Sequence, residues 1–340
     1  MNTSPMPEAL RVLARPASWG YRVAVAMRNR KFDQGKNVTA VSVPVISVGN
    51  ISVGGVGKTP MVMWMCEWLQ ARDMHPCIVM RGYAAEEGQR SDEEAEYELR
   101  FPDIPVLAQP DRVAALNGFL PANPHINCVI MDDGFQHRML KRDIDLVLID
   151  ASVPPSKDNL LPLGYLREPV TALRRATAVV ITHAGAVDPD LSAFVESAHG
   201  KPPIAWTDHH WPHLRVFEHK SADQPVPTTW LQKKRLVTVL GVGNPDHLLN
   251  HLKTLGAKIS VNVPARDHQK FDEQFAATLQ RRCQGMDALL VTGKDWVKLQ
   301  RLIDPVDFPV PIVIPHLTLK FVHGEQTLKD LLMGAIKPTV

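Results

Sequence analysis

Apolar residues in this chain fall in short β-branched runs, and the intervals between the runs carry helical spacing. Val41, Val43, Val45, Ile46 and Val48 make the first run, and residues 77–80, 104–107, 128–131, 144–149 and 178–182 make the next five. Helical patterns lie between them, at 61–72 and again from Asp111-Arg112 to Phe119. Short apolar strands alternating with helices predict a mostly parallel sheet covered by helices on both faces. Near residues 201–228 the pattern breaks into five prolines with His209, His210, His213 and His219, which reads as a linker between lobes. Those histidines lack a mixed ligand set with metal spacing. Beyond them, the apolar runs at 235–241 and 287–292 each lead through a turn to a helix, predicting a smaller C-terminal α/β lobe. The turn Gly241-Val242-Gly243-Asn244-Pro245 has Asp246 where a dinucleotide fingerprint needs glycine, so a helix cap at Asn244 accounts for it.

Charge changes the picture mainly at the start. Seven basic residues (Arg11, Arg15, Arg22, Arg28, Arg30, Lys31, Lys36) stand against Glu8 and Asp33, interleaved with Leu10, Val12, Leu13, Trp19, Tyr21, Val23, Val25 and Met27. Pro16 is expected to split this segment into two helical pieces. Two readings stand side by side: a basic amphipathic helix lying on an anionic membrane, and an ordinary helix packed on the core with solvated arginines. The net charge of +2 over 340 residues gives no reason to expect a nucleic-acid partner. Four cysteines, Cys66, Cys77, Cys128 and Cys283, are far apart and read as buried thiols of a reducing compartment. No run approaches the ~18 apolar residues of a membrane span, and no signal-peptide core is seen, so a cytoplasmic location is expected.

The densest chemistry follows the first strand. Ser52-Val53-Gly54-Gly55-Val56-Gly57-Lys58-Thr59 and then Pro60 place a glycine loop, a lysine and a hydroxyl between strand and helix. Glycines let successive N–H groups turn inward as a phosphate cradle, and the helix start adds its dipole. Lys58 would reach the β- and γ-phosphates, and Thr59 would hold Mg²⁺. The general loop pattern asks for glycine at position 52, where this chain has Ser52. Asp132 and Asp133 end a buried strand where α/β sheets place ligands and where a metal-holding carboxylate belongs, although Asp-Gly is also good turn chemistry. Leu160-Leu161-Pro162-Leu163-Gly164-Tyr165-Leu166-Arg167-Glu168-Pro169 presents an arginine from a loop. The acidic residues between Glu86 and Glu98 read as a solvated helix face, and His268 as a loop histidine.

Taken together, these segments resemble the tetraacyldisaccharide 4'-kinase family. The matching residues are S-V-G-N-I-S-V-G-G-V-G-K-T-P from Ser47, Arg81-Gly82-Tyr83, Asp111-Arg112, D-D-G-F-Q-H-R from Asp132, the Leu160–Pro169 loop, G-V-G-N-P from Gly241, Asp267-His268 and Thr292-Gly293-Lys294-Asp295. Ser52 is itself family-like. The resemblance implies a P-loop NTPase-type fold with a basic N-terminal segment at 1–36, a kinase core at 37–205, a linker at 206–234 and a smaller lobe at 235–340. It implies transfer of the γ-phosphate of ATP, with Mg²⁺, to the 4'-hydroxyl of a tetraacylated glucosamine disaccharide 1-phosphate at the cytoplasmic face of the inner membrane. On that basis Asp132 and Asp133 are the Mg²⁺-linked pair, with Gln136 and His137 lining the nucleotide site. Arg112 and Arg167 stabilise anions, and Asp92 is the general base with His268 as its partner. The family's Gly-Asp-Glu-Pro is Ser91-Asp92-Glu93-Glu94 here, so Glu93 and Glu94 stay open as the base, and Arg266 replaces a proline before Asp267. No protein partner is implied. Lobe closure is expected to join Asp92 and His268. Two rivals are a nucleotide-switch ATPase or GTPase acting on a protein partner and a scaffold with a vestigial loop. Against the GTPase, Thr292-Gly293-Lys294-Asp295 has the wrong spacing for a guanine reader.

Overall fold

The computed structural model describes residues 11–82, 90–218, 224–242, 245–265 and 269–336. Tyr83, Glu86, Glu87, Gly243, Asn244, Asp267 and His268 lie outside the described residues.

The chain divides into two compact units. The first comprises the described residues of Met1–Ala84, Asp103–His209 and Leu319–Val340, and the second those of Ala85–Pro102 and His210–Thr318. In chain order the elements begin with α1 (Arg11–Asp33), β1 (Val45–Asn50), α2 (Lys58–Gln70), β2 (Pro76–Met80) and α3 (Asp92–Arg100). Next come β3 (Val106–Ala108), α4 (Arg112–Phe119), β4 (Cys128–Asp132), β5 (Ile144–Asp150), β6 (Ala178–Thr182), α5 (Pro189–His199) and β7 (Ala205–His210). The remainder is β8 (Leu214–Phe217), β9 (Gln224–Val226), β10 (Arg235–Val239), α6 (Pro245–Thr254), β11 (Lys258–Val263), α7 (Glu273–Cys283), β12 (Ala288–Val291), α8 (Gly293–Leu299), β13 (Ile312–Pro315), β14 (Thr318–His323) and α9 (Glu325–Ala335).

The first unit is built on one sheet of order β14-β7-β6-β5-β1-β4-β2-β3, in which the run from β7 to β3 pairs parallel. All six residues of β1 are buried, as a central strand with helices on both faces requires. α2 is buried nearly all round, and its Trp64 and Trp68 stack, with Phe321 of β14 4.9 Å from Trp64. The second unit has a mixed sheet of order β11-β10-β12-β13-β8-β9, parallel from β11 to β13 and antiparallel through β8 and β9. Two apolar clusters, one around Leu289 and Trp296 and one around Leu236 and Leu290, fill its two faces. All four cysteines are free and buried.

Three expectations need correction. Pro16 does not split the N-terminal segment, because α1 runs through it unbroken. The lost N–H costs one helix bond, whereas Ser18 and Tyr21 beyond it hydrogen-bond to Leu160 and Arg167 and hold the chain helical. The described residues of 206–234 carry strands where a linker is expected: β7 joins the first sheet, and β8 and β9 join the second. Leu214 and Val216 alternate inward, and Pro225 is tolerated because β9 is an edge strand. The lobes are also not contiguous in sequence. β14 and α9 return to the first unit, where Val322 packs on its core, while α3 belongs to the second, where Leu99 packs on the Trp296 cluster and Arg100 bonds His316.

Candidate active site

β1 ends at the buried Asn50, and the glycine loop crosses from there to α2. Gly54 (φ 121°) and Gly57 (φ 83°) take backbone angles that L side chains avoid. Gly57 is the N-cap of α2 and has no side chain with which to cap the N–H groups of Lys58 and Thr59. Two clamps set the loop's shape. Thr182 Oγ1, at the end of β6, donates to the Val56 carbonyl at 2.8 Å. On the other side the Leu160–Pro169 loop pairs with residues 51–53: Val53 N–H donates to Tyr165 O and Arg167 N–H to Ile51 O, both at 2.7 Å, around a Ser52–Leu166 bridge. Arg167 is therefore placed by strand-like pairing with the phosphate loop.

Asp132 and Asp133 follow β4, beside β1. Asp133 sits in the left-handed region (φ 48°), and a Cβ on Gly134 would meet Ser47 Oγ at 2.4 Å. The Asp-Gly turn is present, and it is what aims the Asp133 carboxylate. Its carboxylate takes Arg167 Nη1 at 2.8 Å and Lys58 Nζ at 3.4 Å, and its carbonyl accepts from the buried Arg112 at 3.2 Å. Burial pushes the Asp133 carboxyl up, but Lys58 and Arg167 outweigh it and hold it below the usual range. Asp132 is buried and accepts the Asp133 N–H at 2.7 Å. Lys58 Nζ also reaches Asn50 Oδ1 at 3.4 Å. Gln136 donates to the Asn50 carbonyl at 2.9 Å and to Glu168 at 3.1 Å. Burial, with Arg112 and Arg142 nearby, holds the His137 imidazole down at about 4, so it is neutral near pH 7.

Lys58, Thr59, Asp132, Asp133, Arg112, Arg167, Gln136 and His137 all fall within the first unit, around the loop and its flanking strand ends. Asp92 belongs to the second unit, at the first position of α3, 3.8 Å from Lys298 Nζ. Of the three acids left open there, Glu94 is committed to a capping box with Ser91. His268 is not among the described residues. Sequence reasoning missed Asn50 and Glu168. Glu168 is fully buried, with Arg175 at 2.7 and 2.8 Å and Asn29 at 2.7 Å. Both residues stand inside the quoted motifs, and their signal is a polar residue in a run that must be buried.

An uncapped helix start, a lysine across from a carboxylate, and two arginines converging on that same residue suit a polyphosphate, and the sheet order puts them where P-loop proteins bind one. The fold and site are those of a P-loop phosphotransferase. A family model, tetraacyldisaccharide-1-P 4'-kinase, matches residues 10–337, and the chain belongs to that family. A tetraacyldisaccharide 4'-kinase of Geobacter metallireducens is 35% identical over 313 residues, covering 85% of this chain and 89% of that one. Its counterpart of Chlorobaculum tepidum is 29% identical over 357 residues, covering 96% and 98%. Among solved structures, LpxK from Aquifex aeolicus, an "apo" form in complex with ATP, superposes with a TM-score of 0.73 at 28% identity, covering 96% of this chain and all of that one (100%).

Proposed function

We propose that the protein transfers the γ-phosphoryl group of ATP to the 4'-hydroxyl of a tetraacylated glucosamine disaccharide 1-phosphate. The observation that carries this reading is Asp133 held between Lys58 and Arg167 beside the uncapped start of α2. Loop N–H groups from Ser52 to Thr59 cradle the phosphates, and Lys58, Arg112 and Arg167 offset charge on the transferred group. Thr59, Asp132 and Asp133 are hard oxygen donors that fit Mg²⁺, an ion normally held by one or two carboxylates with phosphate oxygens. Held there, Mg²⁺ would supply neutralisation of phosphate charge. Asp92 accepts the sugar hydroxyl proton, with His268 as its partner; both roles rest on the resemblance.

α1 supports a membrane-surface location. It buries Ala14, Ser18 and Val25, while Trp19 is 70% and Met27 65% exposed on one stripe with Val23, flanked by Arg15, Arg22 and Arg30. The inner face fits a helix packed on the core, and the outer face supports the membrane-surface reading. Among the described residues no helix is long and apolar enough to cross a membrane. We place this stripe on the anionic cytoplasmic face of the inner membrane, next to the acylated substrate.

The test is incubation with ATP, Mg²⁺ and a detergent-solubilised acylated disaccharide phosphate. The expected product is heavier by one phosphate. Hydrolysis stimulated by a protein, with the lipid unchanged, would favour the nucleotide-switch reading instead.

A further inference from the structure

α1 is attached to the site through hydrogen bonds as well as packing. Tyr21 Oη donates to the Arg167 carbonyl at 2.9 Å, and Asn29 Nδ2 donates to Glu168 Oε2 at 2.7 Å. Two side chains of one helix thus grip two consecutive residues of the arginine loop. Arg138 fixes the end of α1 in turn, donating to the Asn29 carbonyl at 3.1 Å and to Asp33 at 2.7 Å.

The same two residues are held from the nucleotide side. Arg167 N–H donates to Ile51 O at 2.7 Å, and its guanidinium meets Asp133. Glu168 accepts from Gln136, Gln136 donates to the Asn50 carbonyl, and Asn50 Oδ1 accepts from Lys58. A continuous chain of polar contacts therefore runs from α1 to the lysine of the phosphate loop. Its hub is Glu168, fully buried and paired with Arg175, with Arg28 of α1 at 3.7 Å. Burial works against its anion, and Arg175, Asn29 and Gln136 outweigh burial, so Glu168 is charged near neutral pH. A buried anion with satisfied partners tolerates few alternative arrangements, so losing one partner shifts the others.

We propose that α1 is a positioning element for phosphoryl transfer: Tyr21 and Asn29 fix the Arg167–Glu168 step, and so aim Arg167 at the transferred group. The helix whose outer face carries Trp19, Val23 and Met27 is also the one that sets the geometry of the arginine. This rests on the reading of Arg167 as the arginine that faces the phosphoryl group. Transfer between fixed groups is sensitive to displacements of about 1 Å, which is the scale a lost hydrogen bond allows.

The experiment is a double-mutant cycle on the full chain, in detergent micelles at saturating ATP and lipid. Tyr21→Phe and Asn29→Ala are each expected to lower kcat about fivefold, with the KM for ATP within about twofold. Asn29→Asp, which sets a second carboxylate against Glu168, is expected to lose more than the alanine variant. In an Arg167→Ala background, Tyr21→Phe should cost nothing further, because a residue that acts through Arg167 has nothing left to position. A loss that multiplies in that background, or unchanged kcat in both single variants while Arg167→Ala is inactive, overturns the proposal. Full activity of Arg167→Ala would instead remove the reading of Arg167 itself. Thermal melts of Tyr21→Phe that match the parent exclude unfolding as the cause.

Discussion

Both units end a parallel strand in a turn that opens a helix, and both put a Gly-Lys pair there. After β1 it is Gly57-Lys58, and after β12 it is Gly293-Lys294. The two helix starts are chemically opposite. Gly57 caps α2 with no side chain, whereas α8 is capped by Thr292, whose Oγ1 accepts from Asp295 N–H at 3.1 Å. Asp295, fully buried, then accepts from Thr292 Oγ1 at 2.7 Å and from Gly241 N–H at 2.8 Å, with Lys298 at 3.4 Å. An internal carboxylate occupies the ground where an incoming anion would sit. Strand, glycine and lysine alone therefore do not leave a helix start open to an anion: α8 is filled by its own carboxylate, whereas α2 has no side-chain cap.

The largest expected effect tests the filled turn. Asp295→Ala takes the acceptor from two donors and one carboxylate from Lys298, and should destabilise the protein by about 3–5 kcal/mol. Denaturant unfolding would measure this. Weak destabilisation would mean that Asp295 does not fill the α8 turn as argued. Next is the open turn. Lys58→Ala should cut kcat by about 10²–10³-fold with little change in melting temperature, whereas Lys294→Ala should stay within about twofold. Equal losses in the two steady-state assays would erase the contrast. Third, Gly57→Ala forces a side chain into φ 83°, with its Cβ 3.3 Å from His209 Nε2. Calorimetric titration should show ATP binding about tenfold weaker, from roughly 1–2 kcal/mol of backbone strain. Gly293→Ala has no such angle, and its nearest neighbour is the flexible end of Glu96 at 3.0 Å, so ATP binding should hold.

The open turn was legible in the sequence because its information is local. Glycines at positive φ, a β-branched run and a Lys-Thr pair lie within one stretch, and Asp132-Asp133-Gly134 is equally compact. What the sequence concealed depends on distance along the chain. Glu168 becomes a hub only because Asn29, 139 residues away, and Gln136 fold onto it. Pro16 fails to break α1 because anchors at Leu160 and Arg167 outweigh one lost bond. The strands β7 to β9 hid behind prolines and histidines, since each is short and takes its register from distant neighbours, β7 in the first sheet and β8 and β9 in the second. No local pattern says that residues after 318 return to the first unit, or that α3 leaves it.

The smallest expected effect separates carboxylates of the two units by the sign of their pH dependence. Asp133 and Glu168 are held below the usual carboxylate range, so their stabilisation is present above that range and fades as pH falls through their folded values. Glu96 in the second unit runs the other way. Burial raises its carboxyl from 4.5 to about 7, with Glu93 and Asp295 adding to the rise and Lys294 and Lys298 opposing it. A folded state that holds its proton more tightly than the unfolded chain is favoured at low pH. That contribution is complete below the unfolded value and lost as pH rises through about 7. Glu96→Gln keeps the neutral shape and removes the titration, so it should raise the melting temperature at pH 8 and leave it nearly unchanged at pH 5. Glu96 is a half-buried residue, which keeps the gain to about 2–4 °C by calorimetry. A gain of the same size at both pH values would mean that Glu96 is destabilising for its shape rather than its charge, and its contrast with Asp133 and Glu168 would be lost.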